Sequence, residues 1–104
     1  MRKTELEGPE LQQADQKLLV YSALDKRERL KAFFLIRDTP GIAFSEIVKG
    51  VKAKKALMAY HLGILKASAL VTFTYERKGN ASYSTYNLTK LGKKVAKELA
   101  AAIK

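Results

Sequence analysis

The sequence contains no cysteine and only one histidine, His61. Without cysteine there is no disulfide, no thiolate metal site and no cysteine nucleophile. No second histidine and no close carboxylate pair is present to complete a catalytic dyad or a metal site, and the glycines lack phosphate-loop spacing. We therefore predict that the protein is not an enzyme, binds no metal and needs no cofactor. His61 is interpreted as a hydrogen-bonded packing residue.

Long apolar runs are also missing. The longest, from Ala32 to Ile36, is far shorter than the roughly 20 residues that cross a bilayer. The N-terminus has two basic residues but no apolar stretch after them, so we expect no signal peptide. At 104 residues the chain is expected to form one domain over residues 9–104, after a flexible N-terminus over residues 1–8. We predict a soluble, cytoplasmic protein with no membrane partner.

Acidic residues are scarce in the second half of the chain. The sequence has 20 Lys and Arg against 10 Asp and Glu, a net charge of +10. Residues 1–48 hold eight basic and eight acidic side chains, so residues 49–104 carry the entire excess. A neutral half joined to a basic half indicates a scaffold on one side and a polyanion contact on the other. The alternative is that lysine-rich helices serve only solubility.

Helical spacing of apolar residues begins at Pro9 and resumes after Asp25, the predicted N-cap of a second helix that runs through Ile36. Residues 42–44 are predicted to be extended, and Ser45 to cap a short helix. A longer helix is predicted over residues 54–68, with Met58, Leu62, Leu65 and part of His61 facing the core.

β-Branched and aromatic residues alternate over residues 71–75 and 82–88, which predicts a hairpin with a turn at residues 78–80. Four of these side chains are predicted to lie in the core: Val71, Phe73, Tyr86 and Leu88. Thr89 is the predicted cap of the last helix. The fold class is therefore mostly α with a small β-hairpin (α+β). Its order of elements is that of a winged helix-turn-helix, in which a short helix supports a second helix that can enter the DNA major groove.

The segment SEIVKGVKAKKALMAYHLGILKASALV, residues 45–71, resembles the helix-turn-helix of ArsR-like and related archaeal winged-helix transcriptional regulators. The shared positions are Ser45, Glu46, Ile47, Val51, Met58, Ala59, His61, Leu62, Leu65, Leu70 and Val71. The pair Arg29-Leu30 and the segment YNLTKLG, residues 86–92, extend the likeness over about residues 22–100. The chain departs from the family pattern where Lys54 replaces a serine, Leu57 a threonine and Ala69 a turn glycine. The resemblance implies DNA binding and gene regulation, and without cysteine it does not imply thiolate metal sensing.

The candidate DNA contacts lie on the outer face of the 54–68 helix and in the wing, residues 76–82. Lysines at the start of this helix, where backbone N–H groups already favour phosphate, predict a backbone contact. Small residues would let the helix approach the groove, and Tyr60 is the best candidate for a base or sugar contact. The set is Lys52, Lys54, Lys55, Ala56, Ala59, Tyr60, Gly63 and Lys66 on the helix side, with Arg77, Lys78 and Asn80 in the wing. The alternatives are that the small-residue stripe packs on another helix and that the wing tip is a solvated turn.

The first and last helices are more apolar than so small a domain needs. Pairing them across a two-fold axis would make a homodimer with two reading heads. The predicted dimer interface is Leu11, Leu18, Tyr21, Leu91, Val95, Leu99 and Ile103. The alternative is that both helices only close the core of the monomer.

The sequence favours a sequence-specific, double-stranded DNA-binding transcriptional regulator. The outer helix face lacks the Arg, Asn and Gln side chains that read bases bidentately, so a low-specificity architectural or RNA-binding module is an alternative. Tyr75 and Tyr83, predicted to be exposed, could stack on single-stranded bases. A protein–protein adaptor is the third candidate.

Overall fold

The computed structural model describes residues 8–103. Gly8, assigned by the sequence analysis to a flexible N-terminus, is the first residue of the first helix, and residues 1–7 lie outside the described part. The elements are α1 (Gly8–Ser22), α2 (Arg27–Asp38), β1 (Ile42–Ala43), α3 (Phe44–Val51), α4 (Lys55–Ala67), β2 (Val71–Lys78), β3 (Ala81–Leu88) and α5 (Lys90–Ala102). This order confirms the predicted winged helix-turn-helix.

The core forms where α2, α3 and α4 meet the base of the sheet. Its largest fully buried side chains are Phe33, Ile36, Ile47, Met58, Leu62, Leu65 and Leu70. The predicted inner face of α4 is confirmed, because Met58, Leu62 and Leu65 are each at most 1% exposed. Burying one such side chain contributes about 1.5–3 kcal/mol to stability. This face therefore anchors α4 on the core, and the opposite face of the helix points away from it.

The sheet has the antiparallel order β1-β3-β2. Strands β2 and β3 pair from Val71 with Leu88 to Lys78 with Ala81, so both are longer than predicted. A two-residue turn joins them, and its first residue, Gly79, has φ +59°, a left-handed value that glycine adopts without steric cost. Only Val71 of β2 is buried. The hairpin therefore leaves the core at once and projects as a wing.

Two helix starts differ from the predicted ones. Helix α2 begins after Lys26, and Asp25 instead donates its N–H to the carbonyl of Ser22 in the turn that closes α1. Helix α3 begins at Phe44, because the pairing of β1 with β3 ends at Ala43. Ser45 therefore lies inside the first turn of α3 and does not cap it.

Thr89 caps α5 as predicted and joins three parts of the fold. Its hydroxyl accepts a hydrogen bond from the N–H of Gly92 (2.9 Å) and donates one to the carbonyl of Ala69 (2.6 Å). Its own N–H donates to the carbonyl of Leu70 (3.1 Å). The end of α4, the base of the wing and the start of α5 are thus held together at one junction.

Helix α1 packs against this core through the half-buried Val20 and Tyr21 near its C-terminal end. None of its residues is buried, and its described links to α5 are polar: the Tyr21 hydroxyl donates to Glu98, and Lys17 lies 3.7 Å from the same carboxylate. The molecule measures 68 × 28 × 22 Å, and its radius of gyration is 16.3 Å against about 13 Å for a compact chain of 100 residues. No helix within residues 8–103 is long and apolar enough to cross a membrane.

Candidate nucleic-acid interface

The turn between α3 and α4 places three lysines at the start of α4. Lys52 adopts the left-handed conformation (φ 62°, ψ 45°), and its N–H donates to the carbonyl of Val48 at 2.9 Å. A residue with a Cβ adopts this conformation at a cost of about 1 kcal/mol relative to glycine. The chain reverses here with a lysine in the turn, and Lys54 follows as the N-cap of α4.

The first turn of α4 is open to an anion. The Lys54 side chain makes no capping hydrogen bond, and the turn contains no acidic residue. Unsatisfied N–H groups at a helix start attract anions together with the helix dipole. Lys52, Lys54 and Lys55 are exposed, and no carboxylate within residues 8–103 forms an ion pair with them. The lysines of the predicted phosphate contact at the start of α4 are therefore exposed and unpaired by any described carboxylate.

The outer face of α4 is uncovered by the described chain. Ala56, Ala59 and Gly63 are exposed, and Tyr60 is 60% exposed. A Cβ added at Gly63 would meet no atom within 4 Å. None of the described helices therefore covers the stripe of small residues. Leu57, which is not among the predicted DNA contacts, flanks this face and is 45% exposed.

Lys66 connects the end of α4 to the base of the wing. Its ammonium lies 3.8 Å from the centre of the Phe73 ring, and that ring stacks on Tyr86 at 5.7 Å between centroids. The prediction that Phe73 belongs to the core is wrong, because it is 38% exposed. Strand β2 has already left the core at this position, and the cation covers the ring instead. Exposed pairs of this kind contribute about 0.5–1 kcal/mol, enough to favour one relative position of α4 and wing.

The outer half of the wing is polar and exposed. Arg77, Lys78 and Asn80 are all accessible at its tip. Because side chains alternate along a strand, Arg77 shares a face with Phe73 and Tyr75, and Tyr75 is 64% exposed. Tyr83, also predicted to be exposed, is half-buried. The wing thus presents one aromatic ring and two cations beyond the end of α4.

A buried arginine positions α4 from the inside. Arg29 of α2 is 5% exposed; its Nε donates to Nδ1 of His61 at 3.2 Å and its Nη1 to the carbonyl of Ala23 at 3.0 Å. Burial, followed by the nearby Arg29 charge, lowers the pKa of His61, so the ring stays neutral and accepts. The interpretation of His61 as a packing residue is confirmed. The buried role of Arg29 was not predicted, and its only signal in the sequence is the resemblance at Arg29-Leu30.

The basic excess does not lie on one surface. Of the twelve cations in residues 49–104, six lie in the turn, α4 and wing, and four lie on α5: Lys90, Lys93, Lys94 and Lys97. The interpretation of residues 49–104 as one polyanion contact is therefore too simple, because α5 presents a second cationic surface.

The predicted dimer residues are divided between surface and core. Leu11, Leu18 and Ile103 are 50–78% exposed, and Leu91 is 37% exposed. Tyr21 and Leu99 are half-buried and line a groove of about 630 Å³ between α1, α2 and α5, together with Leu18 and Ile103. Val95 is 3% exposed and packs in the monomer's own core, so it does not extend this surface.

The part of the chain from residue 8 to residue 103 contains no group of three metal-ligating side chains close enough to hold an ion. The site is made of an exposed helix, a lysine-lined turn and a projecting hairpin. This is the geometry of a winged helix-turn-helix protein.

No protein-family model matches the sequence, and a search of curated proteins gave no match. Solved structures do match. NolR from Sinorhizobium fredii is 18% identical, with 96% of each chain covered and a TM-score of 0.77. The domain of Mb0332 from Mycobacterium bovis is described as a homodimeric winged helix-turn-helix DNA-binding domain of a possible ArsR-family transcriptional regulator. It is 19% identical, with 97% of this chain and 90% of that chain covered and a TM-score of 0.72.

The transcriptional regulator HlyU from Vibrio vulnificus is 20% identical, with 88% of this chain and 91% of that chain covered and a TM-score of 0.68. At these identities the likeness establishes the winged-helix fold, which the resemblance noted in the sequence implied. The latter two neighbours are described as a possible ArsR-family transcriptional regulator and as a transcriptional regulator.

Proposed function

We propose that the protein is a double-stranded DNA-binding transcriptional regulator that inserts α4 into the major groove. The observation that carries this proposal is the uncovered outer face of α4, with exposed lysines at its start. Its small residues, Ala56, Ala59 and Gly63, allow the helix backbone to come close to the base edges. The description of the similar Mb0332 domain as DNA-binding supports the same function.

Phosphate contacts come from two places in this proposal. Lys52, Lys54 and Lys55 act with the open N–H groups at the start of α4, and Arg77 and Lys78 act at the wing tip, with Asn80 as a further polar contact. The Lys66–Phe73 contact holds the wing base against α4, so that both reach the same duplex. Such contacts give affinity through counterion release and position the protein without reading sequence.

In this proposal, only a few side chains of α4 can distinguish one DNA sequence from another. Tyr60 is the polar residue best placed to meet a base edge or sugar, and the other outer residues of α4 are small, apolar or lysine. Because of this composition, the low-specificity architectural module is a second candidate function. Competition between random and selected duplexes distinguishes it from a sequence-specific regulator. A clear preference over a salt series indicates a regulator, and equal affinities indicate the architectural module.

We also propose that the protein is a homodimer formed through α1 and α5, acting in the cytoplasm. Helix α1 has 15 residues and buries none, although isolated helices of about 12–15 residues are marginal in water. Leu18 and Ile103 line the groove between α1, α2 and α5 and remain exposed, and the exposed Leu11 lies two turns from Leu18 on the same face of α1. A second copy would cover these side chains, and the similar Mb0332 domain is described as homodimeric.

Charge reversal tests the DNA contact. Lys54→Glu with Lys55→Glu removes four candidate phosphate contacts per dimer. We expect duplex affinity to fall by about 100-fold or more at moderate salt, and the slope of log K against log salt to become shallower by about 4. Both are measured by fluorescence anisotropy, with circular dichroism to verify folding.

The matched control is Lys90→Glu with Lys94→Glu, the same change on α5. It should leave the salt slope unchanged. If the two double variants weaken binding equally, the proposed DNA contact is wrong and duplex binding reflects only net charge.

Light scattering after size exclusion tests the dimer. Leu18→Asp places a carboxylate in the proposed interface and should give the mass of a monomer. Leu57→Asp, the same change at another exposed leucine, on α4 (45% exposed against 67% for Leu18), should leave the dimer intact. Equal masses for wild type and Leu18→Asp would contradict this interface.

A further inference from the structure

The second cationic surface borders a cavity that the DNA contact does not use. A cavity of about 550 Å³ lies between α2, the end of β3 and α5. Its lining includes Ile36, Leu88 and Ala96, all at most 8% exposed, with Lys93, Lys97 and Asn87 beside them. This volume falls in the range of about 300–1,000 Å³ that is typical of small-ligand sites.

Two lysines that line this cavity are free to pair with an anion. Lys93 and Lys97 are four residues apart on α5, which places them one above the other on a single helix face. No carboxylate of the described residues forms an ion pair with either lysine. Arg37 also lines the cavity, but its Nε donates to Asp38 at 2.7 Å and its guanidinium lies 4.6 Å from the centre of the Phe34 ring. The two lysines are therefore the cations of this lining that no described carboxylate pairs with.

We propose that this cavity binds a small organic anion. An apolar body would lie against Ile36, Leu88 and Ala96, and an acidic head group, such as a carboxylate or a sulfonate, would pair with Lys93 and Lys97. Asn87 supplies an amide that can donate to or accept from the same ligand. This is the usual composition of a ligand site, a largely apolar lining with a few convergent polar groups.

A nucleic acid fits this surface less well than a small ligand does. The apolar residues are recessed between three elements, where a phosphate backbone would gain nothing from them. The other two lysines of α5, Lys90 and Lys94, are not part of the lining, so the cavity has its own pair of cations. The proposal does not depend on DNA binding, and its test uses no nucleic acid.

Two fluorescent probes with one aromatic body test the proposal. 8-Anilinonaphthalene-1-sulfonate carries an acidic group, and N-phenyl-1-naphthylamine lacks it. Lys93→Gln with Lys97→Gln should weaken the sulfonate by about fivefold or more, since hydrogen bonds to charged groups are among the stronger ones. Lys90→Gln with Lys94→Gln, the matched control on the same helix, should change its affinity by less than about twofold. Neither pair should change the affinity of the neutral probe.

The groove between α1, α2 and α5 is a competing place for an apolar probe, so the bound sulfonate is also located by amide chemical-shift changes. We expect them at Asn87, Leu88, Ala96 and Ala100. Ala100→Phe, which fills the cavity from a half-buried position, should abolish them. Equal effects of the two lysine pairs, or shift changes confined to Leu18, Leu99 and Ile103, would overturn the proposal.

Discussion

Alanine substitutions at two helical glycines test the stability of the fold and the function of the α4 surface separately. Gly92 lies in the first turn of α5, where a Cβ would stand 2.1 Å from the carbonyl oxygen of Leu70 and 3.1 Å from its carbonyl carbon. Gly63 lies on the outer face of α4, where a Cβ would meet nothing within 4 Å. Both residues are helical, so the intrinsic preference for alanine is the same and the surroundings decide the difference.

Gly92→Ala should destabilise the protein strongly. Real Cβ atoms do not approach backbone oxygens to 2.1 Å, so either α5 or the backbone at Leu70 must move by about 1 Å. That movement weakens the Thr89 hydrogen bonds at the same junction. We expect a loss of about 3 kcal/mol or more in the free energy of unfolding, a fall of about 12 °C or more in the melting temperature.

Gly63→Ala should have the opposite effect on stability. Alanine in place of an unobstructed helical glycine stabilises by about 0.5–1 kcal/mol, so the melting temperature should rise by a few degrees. If α4 enters the major groove with its backbone close to the bases, the added methyl group lies in the contact, and duplex affinity should fall while stability rises.

Thermal unfolding of both variants by circular dichroism, followed by duplex titration of Gly63→Ala, measures these effects. A Gly92→Ala variant as stable as the wild type would refute the close approach at Leu70. A Gly63→Ala variant that is more stable and binds duplex as well as the wild type would refute close packing of α4 against the groove.

Two further predictions concern the pH dependence and the backbone. The pKa of His61 is lowered in the fold, whereas the ordinary pKa of histidine is about 6.5, so the unfolded chain binds more protons than the folded one near and below that pH. The free energy of unfolding should therefore fall as the pH falls from about 7 to 5.5, by at most about 1.4 kcal/mol per pH unit. Urea unfolding should show this slope in wild type and a smaller one in His61→Gln; equal slopes would contradict it. Ala69 has φ 62°, and Ala69→Gly should raise the unfolding free energy by about 1 kcal/mol in the same assay; a loss of stability would contradict the inferred strain.

Features of the fold that follow a local sequence pattern could be predicted from the sequence. The inner face of α4 follows from apolar residues at Met58, Leu62 and Leu65, and Thr89 was recognised as a cap because its side chain and its place before a helix agree. These features depend on neighbours within one or two turns, so local sequence contains them.

What could not be predicted depends on distant partners. Arg29 is charged and would ordinarily be exposed, and its burial is visible only once His61 and the Ala23 carbonyl lie beside it. The alternation of β2 suggested a buried Phe73, but nothing local indicates that the strand leaves the core after Val71. The left-handed residues Lys52 and Ala69 carry no glycine to mark them. The cavity beside Lys93 and Lys97 requires three elements to meet.

Selection of bound duplexes from a random pool at about 0.15 M salt tests the central claim most directly, because it measures DNA binding, sequence preference and symmetry together. The proposed dimer predicts retained duplexes enriched in two-fold-related half-sites about 10 base pairs, or a multiple of one helical turn, apart. If the wild type retains no more duplex than the variant carrying Lys54→Glu and Lys55→Glu, α4 is not the DNA-binding element and the account is wrong.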